Sequence, residues 1–270
     1  MLLGLLLAPV ALYGAVGAAL WALQRDLIYP GARGLLHGRR DPPPGVETIS
    51  IRTADGETLR ALWRAPAPGC GIVVSFHGNA SMPEMHAERF VRDPWAAHGW
   101  GLIAIAYRGY PGSTGRPSES GLIADGLAAL AEAGRRAPGT PALLHGHSLG
   151  TAVAVAVAAE HPPLGLYLEA PFDSMTAMAR MRFPFLPTAL LRDPYRSDRR
   201  IGAVTGPIVI VHGDDDPVIP TKFGLRLARA APAGTRFEVV EGDHVTLLGR
   251  KDAEAEALFR AKLPAGCVAG

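Results

Sequence analysis

Residues 146–150, Gly-His-Ser-Leu-Gly, have the G-x-S-x-G spacing of a serine nucleophile held at a sharp strand-to-helix turn. An apolar run, 141–144, precedes them, and an alanine- and valine-rich stretch, 151–159, follows them as a predicted helix. Glycines suit such a turn because a Cβ at either position would collide across it. Ser148 is therefore a candidate nucleophile. A plain glycine-rich turn between a strand and a helix is the alternative.

A serine hydroxyl is a poor nucleophile until a neutral imidazole takes its proton, and a carboxylate must fix the tautomer of that imidazole. Two apolar strands, 208–211 and 236–240, end in polar turns that read His-Gly-Asp-Asp-Asp-Pro and Glu-Gly-Asp-His. Ser148, Asp216 and His244 then follow one another in the order serine, acid, histidine. This order is one of three known for such a triad.

Each member of this set has an alternative interpretation. Asp214 or Asp215 could be the acid instead of Asp216, and an aspartate in such a turn commonly caps it with a side-chain hydrogen bond. His244 taken alone would be interpreted as an exposed loop histidine. The strand before it and the triad order favour a base. We interpret His77 and His212, which precede glycines at strand ends, as structural residues.

Strand and helix patterns alternate along most of the chain, which is typical of a parallel sheet with helices on both faces. A predicted hairpin, 46–64, opens the domain, and predicted helices include 84–98 and 119–135. Ligands of open α/β sheets bind beyond the carboxyl ends of the strands. Ser148 and the two polar turns all lie at that edge.

Composition sets further limits on the function. The 270 residues are 48% hydrophobic and 19% charged, enough for one large domain. A net charge of +2 without a basic stripe argues against a nucleic-acid partner.

Cys70 and Cys267 match no C-x-x-C spacing, so we expect two unpaired thiols rather than a disulfide or a zinc site. The nine histidines match no metal-ligand spacing, and no metal is expected.

Residues 1–23 contain no charged side chain and, as a helix, would span about 34 Å, so we expect a transmembrane anchor. A cleaved signal peptide is the alternative. Four arginines follow the segment: Arg25, Arg33, Arg39 and Arg40. By the positive-inside rule they predict that the domain lies on the cytoplasmic side of the membrane. A periplasmic or secreted domain is the alternative. A linker, 24–45, and the main domain, 46–265, complete the expected organisation.

Two further segments carry a family resemblance. Residues 75–80, Ser-Phe-His-Gly-Asn-Ala, resemble the oxyanion loop of the α/β-hydrolase superfamily of serine hydrolases, and residues 107–115 resemble the loop after its next strand. With the apolar amino-terminal segment that runs into 24–30, the chain is similar to the membrane-anchored branch that includes protein depalmitoylases and lysophospholipid lipases. The resemblance implies the α/β-hydrolase fold, with a mostly parallel central sheet and helices on both faces.

The resemblance also implies roles for individual residues. It makes Ser148 the nucleophile, Asp216 the acid and His244 the base, because family acids stand just ahead of a stretch like 217–220, Pro-Val-Ile-Pro. An oxyanion needs two backbone N–H donors. Leu149, which follows the nucleophile, should supply one, and Asn79 of the His-Gly-x loop should supply the other.

Residues 172–205 form a short insertion where this fold places its lid. Met175, Met178, Met181 and the run 183–187, Phe-Pro-Phe-Leu-Pro, are either core residues or the lining of an acyl-chain site. We expect a monomeric, membrane-anchored serine hydrolase without a cofactor, acting on small-molecule, acyl-lipid or acyl-protein esters or thioesters. A serine peptidase or amidase with the same triad, and a non-catalytic binding module, are the alternatives.

Overall fold

The computed structural model describes residues 2–33 and 41–267, and its centre is one eight-stranded sheet in the order β1-β2-β4-β3-β5-β6-β7-β8. The strands are β1 (Glu47–Arg52), β2 (Thr58–Arg64), β3 (Ile72–Phe76), β4 (Gly101–Ile105), β5 (Ala142–His147), β6 (Gly165–Glu169), β7 (Ile208–Gly213) and β8 (Arg236–Val240). The hairpin β1–β2 is antiparallel and also pairs antiparallel with β4, whereas β4, β3, β5, β6, β7 and β8 run parallel. The predicted mostly parallel sheet is confirmed.

Helices cover both faces of this sheet. They are α1 (Leu2–Ile28), α2 (Pro83–Phe90), α3 (Glu119–Arg136), α4 (Leu149–Glu160), α5 (Met175–Arg182), α6 (Ser197–Arg200), α7 (Lys222–Ala230) and α8 (Asp252–Arg260). Side chains alternate along a strand, so the residues of β3 contribute to two cores, one on each face of the sheet. Ile72 and Val74 belong to the core that α3 and α4 cover. Val73 belongs to the other core, which also contains Phe90 of α2 and Phe259 of α8. The chain therefore has the α/β-hydrolase fold.

Helix α2 is shorter than the sequence pattern predicts. The apolar spacing predicts a helix over 84–98, but the helix ends at Phe90. Pro94 disfavours helical backbone at the residue before it, and Gly99 adopts a positive φ of 69°. These two residues convert the second half of the predicted helix into turns.

The two cysteines form a disulfide, so the expectation of unpaired thiols is wrong. The Cα atoms of Cys70 and Cys267 lie 4.4 Å apart although 197 positions separate them in the chain. The approach depends on glycine, because a Cβ on Gly69 would lie only 2.3 Å from the carbonyl oxygen of Gly266. This pairing depends on a tertiary contact of the carboxyl-terminal tail, which the spacing of the cysteines in the chain does not reveal.

The expected transmembrane anchor is also wrong. Over residues 2–33 and 41–267, no helix is long and apolar enough to cross a membrane. The last turns of α1 instead bind the domain: Arg25 makes a bidentate ion pair with Asp193 at 2.9 and 3.1 Å. The prediction that the domain lies on the cytoplasmic side assumed this anchor, and it has no support without it. Arg39 and Arg40, which supported that placement, lie outside the described residues.

Helix α1 packs along residues 172–205, which we call the lid segment. Gln24 is the centre of this contact: its Nε2 donates to the carbonyl oxygen of Leu190 at 3.2 Å, and its Oε1 accepts from the backbone N–H of Arg192 at 2.7 Å. Below it, the buried hydroxyls of Tyr29 and Tyr195 lie 2.9 Å apart. The helix and the lid segment are therefore held together by specific polar contacts.

Candidate active site

Ser148 lies between the end of β5 and the start of α4, with φ 53° and ψ −119°. This backbone conformation is rare for a residue with a side chain. The flanking glycines permit it, because a Cβ on Gly146 would lie 2.5 Å from the oxygen of Gly150, and a Cβ on Gly150 would lie 2.0 Å from the oxygen of Phe76. The turn presents the serine hydroxyl at the carboxyl edge of the sheet.

Ser148, His244 and Asp216 form a continuous line of hydrogen bonds. The Nε2 atom of His244 lies 2.9 Å from the hydroxyl oxygen of Ser148, and its Nδ1 atom lies 2.7 Å from Oδ2 of Asp216. Because a carboxylate only accepts, Nδ1 carries the proton and Nε2 is free to accept from the serine. The three residues that the sequence analysis selected from different turns are brought together.

Asp216 is held as a carboxylate by three hydrogen-bond donors. Its Oδ1 accepts the backbone N–H groups of Val218 and Ile219, both at 2.8 Å, and its Oδ2 accepts from Nδ1 of His244 at 2.7 Å. Nε2 of His212 lies 3.5 Å from Oδ2 but donates its proton to the carbonyl oxygen of Ile219 at 2.7 Å. Burial by itself would raise the pKa of Asp216, but the nearby His212 and the hydrogen bonds from His244 and Ile219 outweigh it and hold the pKa well below its usual range. The carboxylate stays charged at neutral pH.

The neighbouring aspartates play no part in this line. Asp214 and Asp215 are exposed, whereas Asp216 is buried. Asp214 accepts the backbone N–H of Gly242 at 3.0 Å and so ties the turn after β7 to the turn after β8. Of the three candidate acids, only Asp216 is placed to hold His244.

His147 supports the loop that carries His244. Its Nε2–H donates to the carbonyl oxygen of His244 at 2.9 Å. Burial, and next the nearby His244, lower the pKa of His147 to about 4, so the imidazole is neutral at pH 7. On the same loop Asp243 accepts the backbone N–H groups of Val245 and Thr246, both at 2.8 Å. The position of His244 is therefore fixed from two sides.

Asn79 and Leu149, the expected oxyanion donors, both border the cavity in which Ser148 lies. Leu149 is the first residue of α4, and the first N–H groups of a helix have no partner within it. The carbonyl of Asn79 accepts the hydroxyl of Tyr110 at 2.7 Å, and its side chain donates to the carbonyl of Ile28 at 3.2 Å. The loop that carries Asn79 is thus bound to the 107–115 loop and to the end of α1.

Beneath the serine, a buried ion network fixes the ends of the neighbouring strands. Glu169, at the end of β6, accepts from Nη1 and Nη2 of Arg89 at 2.5 and 3.1 Å and from Nε2 of His145 at 2.8 Å. Burial would raise the pKa of Glu169, but Arg89 and His145 outweigh it and lower the pKa. The carbonyl of Glu169 accepts the N–H of Ser148 at 2.9 Å, so the network reaches the strained turn directly.

A cavity of about 420 Å³ opens onto Ser148 between α1 and the lid segment. Its lining is mostly apolar, and the one ionisable side chain among the lining residues is the exposed Arg182. Pockets of this size with few polar groups are typical of sites for small organic ligands. Over residues 2–33 and 41–267, no group of three or more His, Cys, Asp or Glu side chains is placed to hold a metal ion.

His212, which was expected to be structural, donates from Nε2 to the carbonyl oxygen of Ile219 at 2.7 Å, in the turn after Asp216. Two other features of this site were not predicted from the sequence. His147 contacts the loop of His244, but its spacing to that residue gives no signal in the sequence. The role of α1 as a wall of the cavity depends on contacts with residues more than 150 positions away.

Residues 67–194 match the family model described as serine aminopeptidase, S33. An uncharacterized protein of Mycobacterium tuberculosis is 37% identical over 231 residues, which cover 83% of this chain and 80% of that protein. Alpha/beta hydrolase domain-containing protein 17C of Xenopus tropicalis is 31% identical over 222 residues, covering 81% of this chain and 68% of that protein. The chain belongs to the α/β-hydrolase superfamily.

Two other proteins are similar over much of the chain. Lysophosphatidylserine lipase ABHD12 of Xenopus tropicalis is 30% identical over 209 residues, 70% of this chain and 54% of that protein, so the chain spans about half of its length. An esterase of Pyrococcus furiosus has a TM-score of 0.66 at 17% identity, covering 84% of this chain and 95% of the esterase, which is a likeness of fold. Together with the family model, these relatives support a hydrolase.

Proposed function

We propose that the protein is a serine hydrolase that cleaves carboxylic esters or thioesters through an acyl-enzyme intermediate. The observation that carries the proposal is the line from Ser148 through His244 to Asp216, with hydrogen bonds of 2.9 and 2.7 Å. Nucleophile, base and acid thus have the mutual geometry that acyl transfer requires. The family and the esterase and lipase names of the similar proteins agree with this chemistry.

In the first half of the reaction, the hydroxyl oxygen of Ser148 attacks the carbonyl carbon while its proton moves to Nε2 of His244. The C–O or C–S bond to the leaving group then breaks, and the leaving alcohol or thiol takes that proton. In the second half, water attacks the acyl-enzyme and gives a proton to His244, which returns it to the serine as the carboxylic acid departs. Asp216 stays ionised and stabilises the imidazolium.

The backbone N–H groups of Asn79 and Leu149 would stabilise the oxyanion of each tetrahedral intermediate. Both residues border the same cavity as the serine, and the helix dipole of α4 favours negative charge at Leu149. Donors of this kind lower the barrier by roughly 2.7–4 kcal/mol each. Main-chain donors leave the side chain of Asn79 free for its hydrogen bond to Ile28.

The cavity favours an acyl substrate over a peptide with a free amino terminus. An ammonium group needs an acidic partner, but the one ionisable residue among those that line the cavity is Arg182, a cation. A binding module without activity would not require a buried, ionised Asp216 aligned with His244. Peptidase activity and simple binding are therefore alternative outcomes of the test below.

The test is hydrolysis of p-nitrophenyl esters, acyl thioesters and aminoacyl p-nitroanilides by the purified protein. We expect ester or thioester turnover that Ser148→Ala lowers by at least about 10⁴-fold, because no other group supplies the nucleophile. Ser120→Ala, on the exposed side of α3, is the matched control and should keep the wild-type rate. Folded Ser148→Ala protein with wild-type activity would contradict the proposal, as would turnover confined to the anilides.

A further inference from the structure

Helix α1 lies outside residues 67–194, the part matched by the family model, and yet one of its faces lines the cavity above Ser148. The lining residues of the helix are Gly17, Leu20, Trp21, Gln24, Leu27 and Ile28. Their spacing of three or four residues places them on a single stripe. Because an α-helix rises about 1.5 Å per residue, this stripe runs for about 16 Å. The cavity therefore has one long, straight wall.

The two ends of this wall are different. At its carboxyl end, Ile28 accepts the side chain of Asn79 at 3.2 Å, next to the serine. At its amino end, a Cβ added to Gly17 would meet Cδ2 of Leu186 in the lid segment at 3.8 Å. One turn earlier, the hydroxyl of Tyr13 donates to the carbonyl of Phe185 at 2.8 Å and joins helix and lid segment. Gly17 and Leu186 therefore lie at the end of the cavity opposite Ser148.

The face of α1 that lines the cavity offers a ligand few free hydrogen-bonding groups. Gln24, its one amide side chain, is already bonded through Nε2 to the carbonyls of Trp21 and Leu190 at 2.9 and 3.2 Å, and its Oε1 accepts the N–H of Arg192 at 2.7 Å. The facing surface of α5 adds Met175 and Met178, whose flexible apolar side chains adapt to irregular apolar ligands. Each methylene group that a ligand buries against such an apolar surface makes the free energy of binding more favourable.

We propose that helix α1 and the lid segment form the binding site for one long, unbranched acyl chain, which extends from the carbonyl at Ser148 toward Gly17. The inference rests on the proposed function and narrows its substrate class to long-chain acyl esters or thioesters. Gly17 determines the accepted length, because its missing side chain keeps the far end open beside Leu186. The leaving group lies on the other side of the serine and is not selected by this wall.

The test compares kcat/KM for p-nitrophenyl acetate, butyrate, octanoate, dodecanoate and palmitate. Gly17→Phe places a ring at the far end, so we expect the palmitate-to-acetate ratio of kcat/KM to fall at least about tenfold. Leu186→Ala enlarges the same end and should shift the optimum toward longer chains. Ala15→Phe is the matched control, because Ala15 is exposed on the opposite face of α1, and it should keep the wild-type profile.

The outcomes separate this inference from the proposed function. If wild-type protein hydrolyses the esters but a folded Gly17→Phe variant keeps the wild-type ratio, the acyl chain lies elsewhere and only the inference is overturned. An equal change in Ala15→Phe also overturns it. If Gly17→Phe does not fold, an unshifted optimum in Leu186→Ala has the same meaning. If wild-type protein hydrolyses no ester and no thioester, the proposed function itself fails and the inference fails with it.

Discussion

The edge of the sheet that carries Ser148 and the cover made of α1 and the lid segment are built in different ways. At the edge, Ser148 is 6% exposed and Glu169 is fully buried, and Glu169 forms an ion pair with Arg89 of α2 and a hydrogen bond with His145 of β5. In the cover, Trp21 is 48% and Phe185 57% exposed, and α5 has no fully buried residue. Apolar contacts of Met175, Met178 and Met181 with the core, a few hydrogen bonds and the Arg25–Asp193 pair hold it in place.

Under the proposed function, these two regions perform different tasks. Acyl transfer needs a nucleophile, a base and an acid at fixed distances, and a buried network at the strand ends supplies that precision. Recognition of an acyl chain needs shape and apolar surface, and a loosely packed cover can provide both. Substitutions at the edge should therefore change kcat, whereas substitutions in the cover should change the preference among substrates.

The largest effect is expected at Asp216. Asp216→Asn keeps the shape of the side chain but removes the charge and favours the wrong tautomer of His244, so kcat for ester hydrolysis should fall by about 10³- to 10⁴-fold. KM should change little, because the proposed acyl-chain site is formed by the cover. Asp215→Asn, its exposed neighbour, is the control. Equal loss in the two variants would show that the acid has been misassigned.

A smaller effect is expected at His147, which touches the loop and not the substrate. His147→Leu removes the hydrogen bond to the carbonyl of His244, and kcat should fall about tenfold, the equivalent of one net hydrogen bond of about 1.4 kcal/mol. His147→Gln, which keeps a donor, should restore most of the loss. If both variants lose activity equally, or only the melting temperature moves, the loop does not depend on this bond.

Most of the candidate active site at the edge of the sheet could be predicted from the sequence, because the carboxyl ends of parallel strands meet at one edge. Once the strands before Ser148, Asp216 and His244 were identified, the topology brought their turns together. The strained turn followed from the local spacing of Gly146 and Gly150 alone. These features depend on short stretches of chain and on one general rule of sheet architecture.

The cover could not be predicted in this way, because its contacts join distant segments. The pairs Gln24–Leu190 and Arg25–Asp193 are separated by 166 and 168 positions, and no local pattern encodes them. Apolar composition alone therefore suggested a membrane anchor where the structure has the wall of a cavity. The Cys70–Cys267 disulfide was missed for the same reason, since 197 positions lie between its ends.

Covalent labelling with an alkyl fluorophosphonate, followed by peptide mapping of the adduct, tests the central claim most directly. Such a probe phosphonylates a serine only when a base activates it beside an oxyanion site. We predict one adduct per chain, on the peptide that contains Ser148, and none after Ser148→Ala. An adduct on another residue, or folded wild-type protein that forms none, would contradict the account.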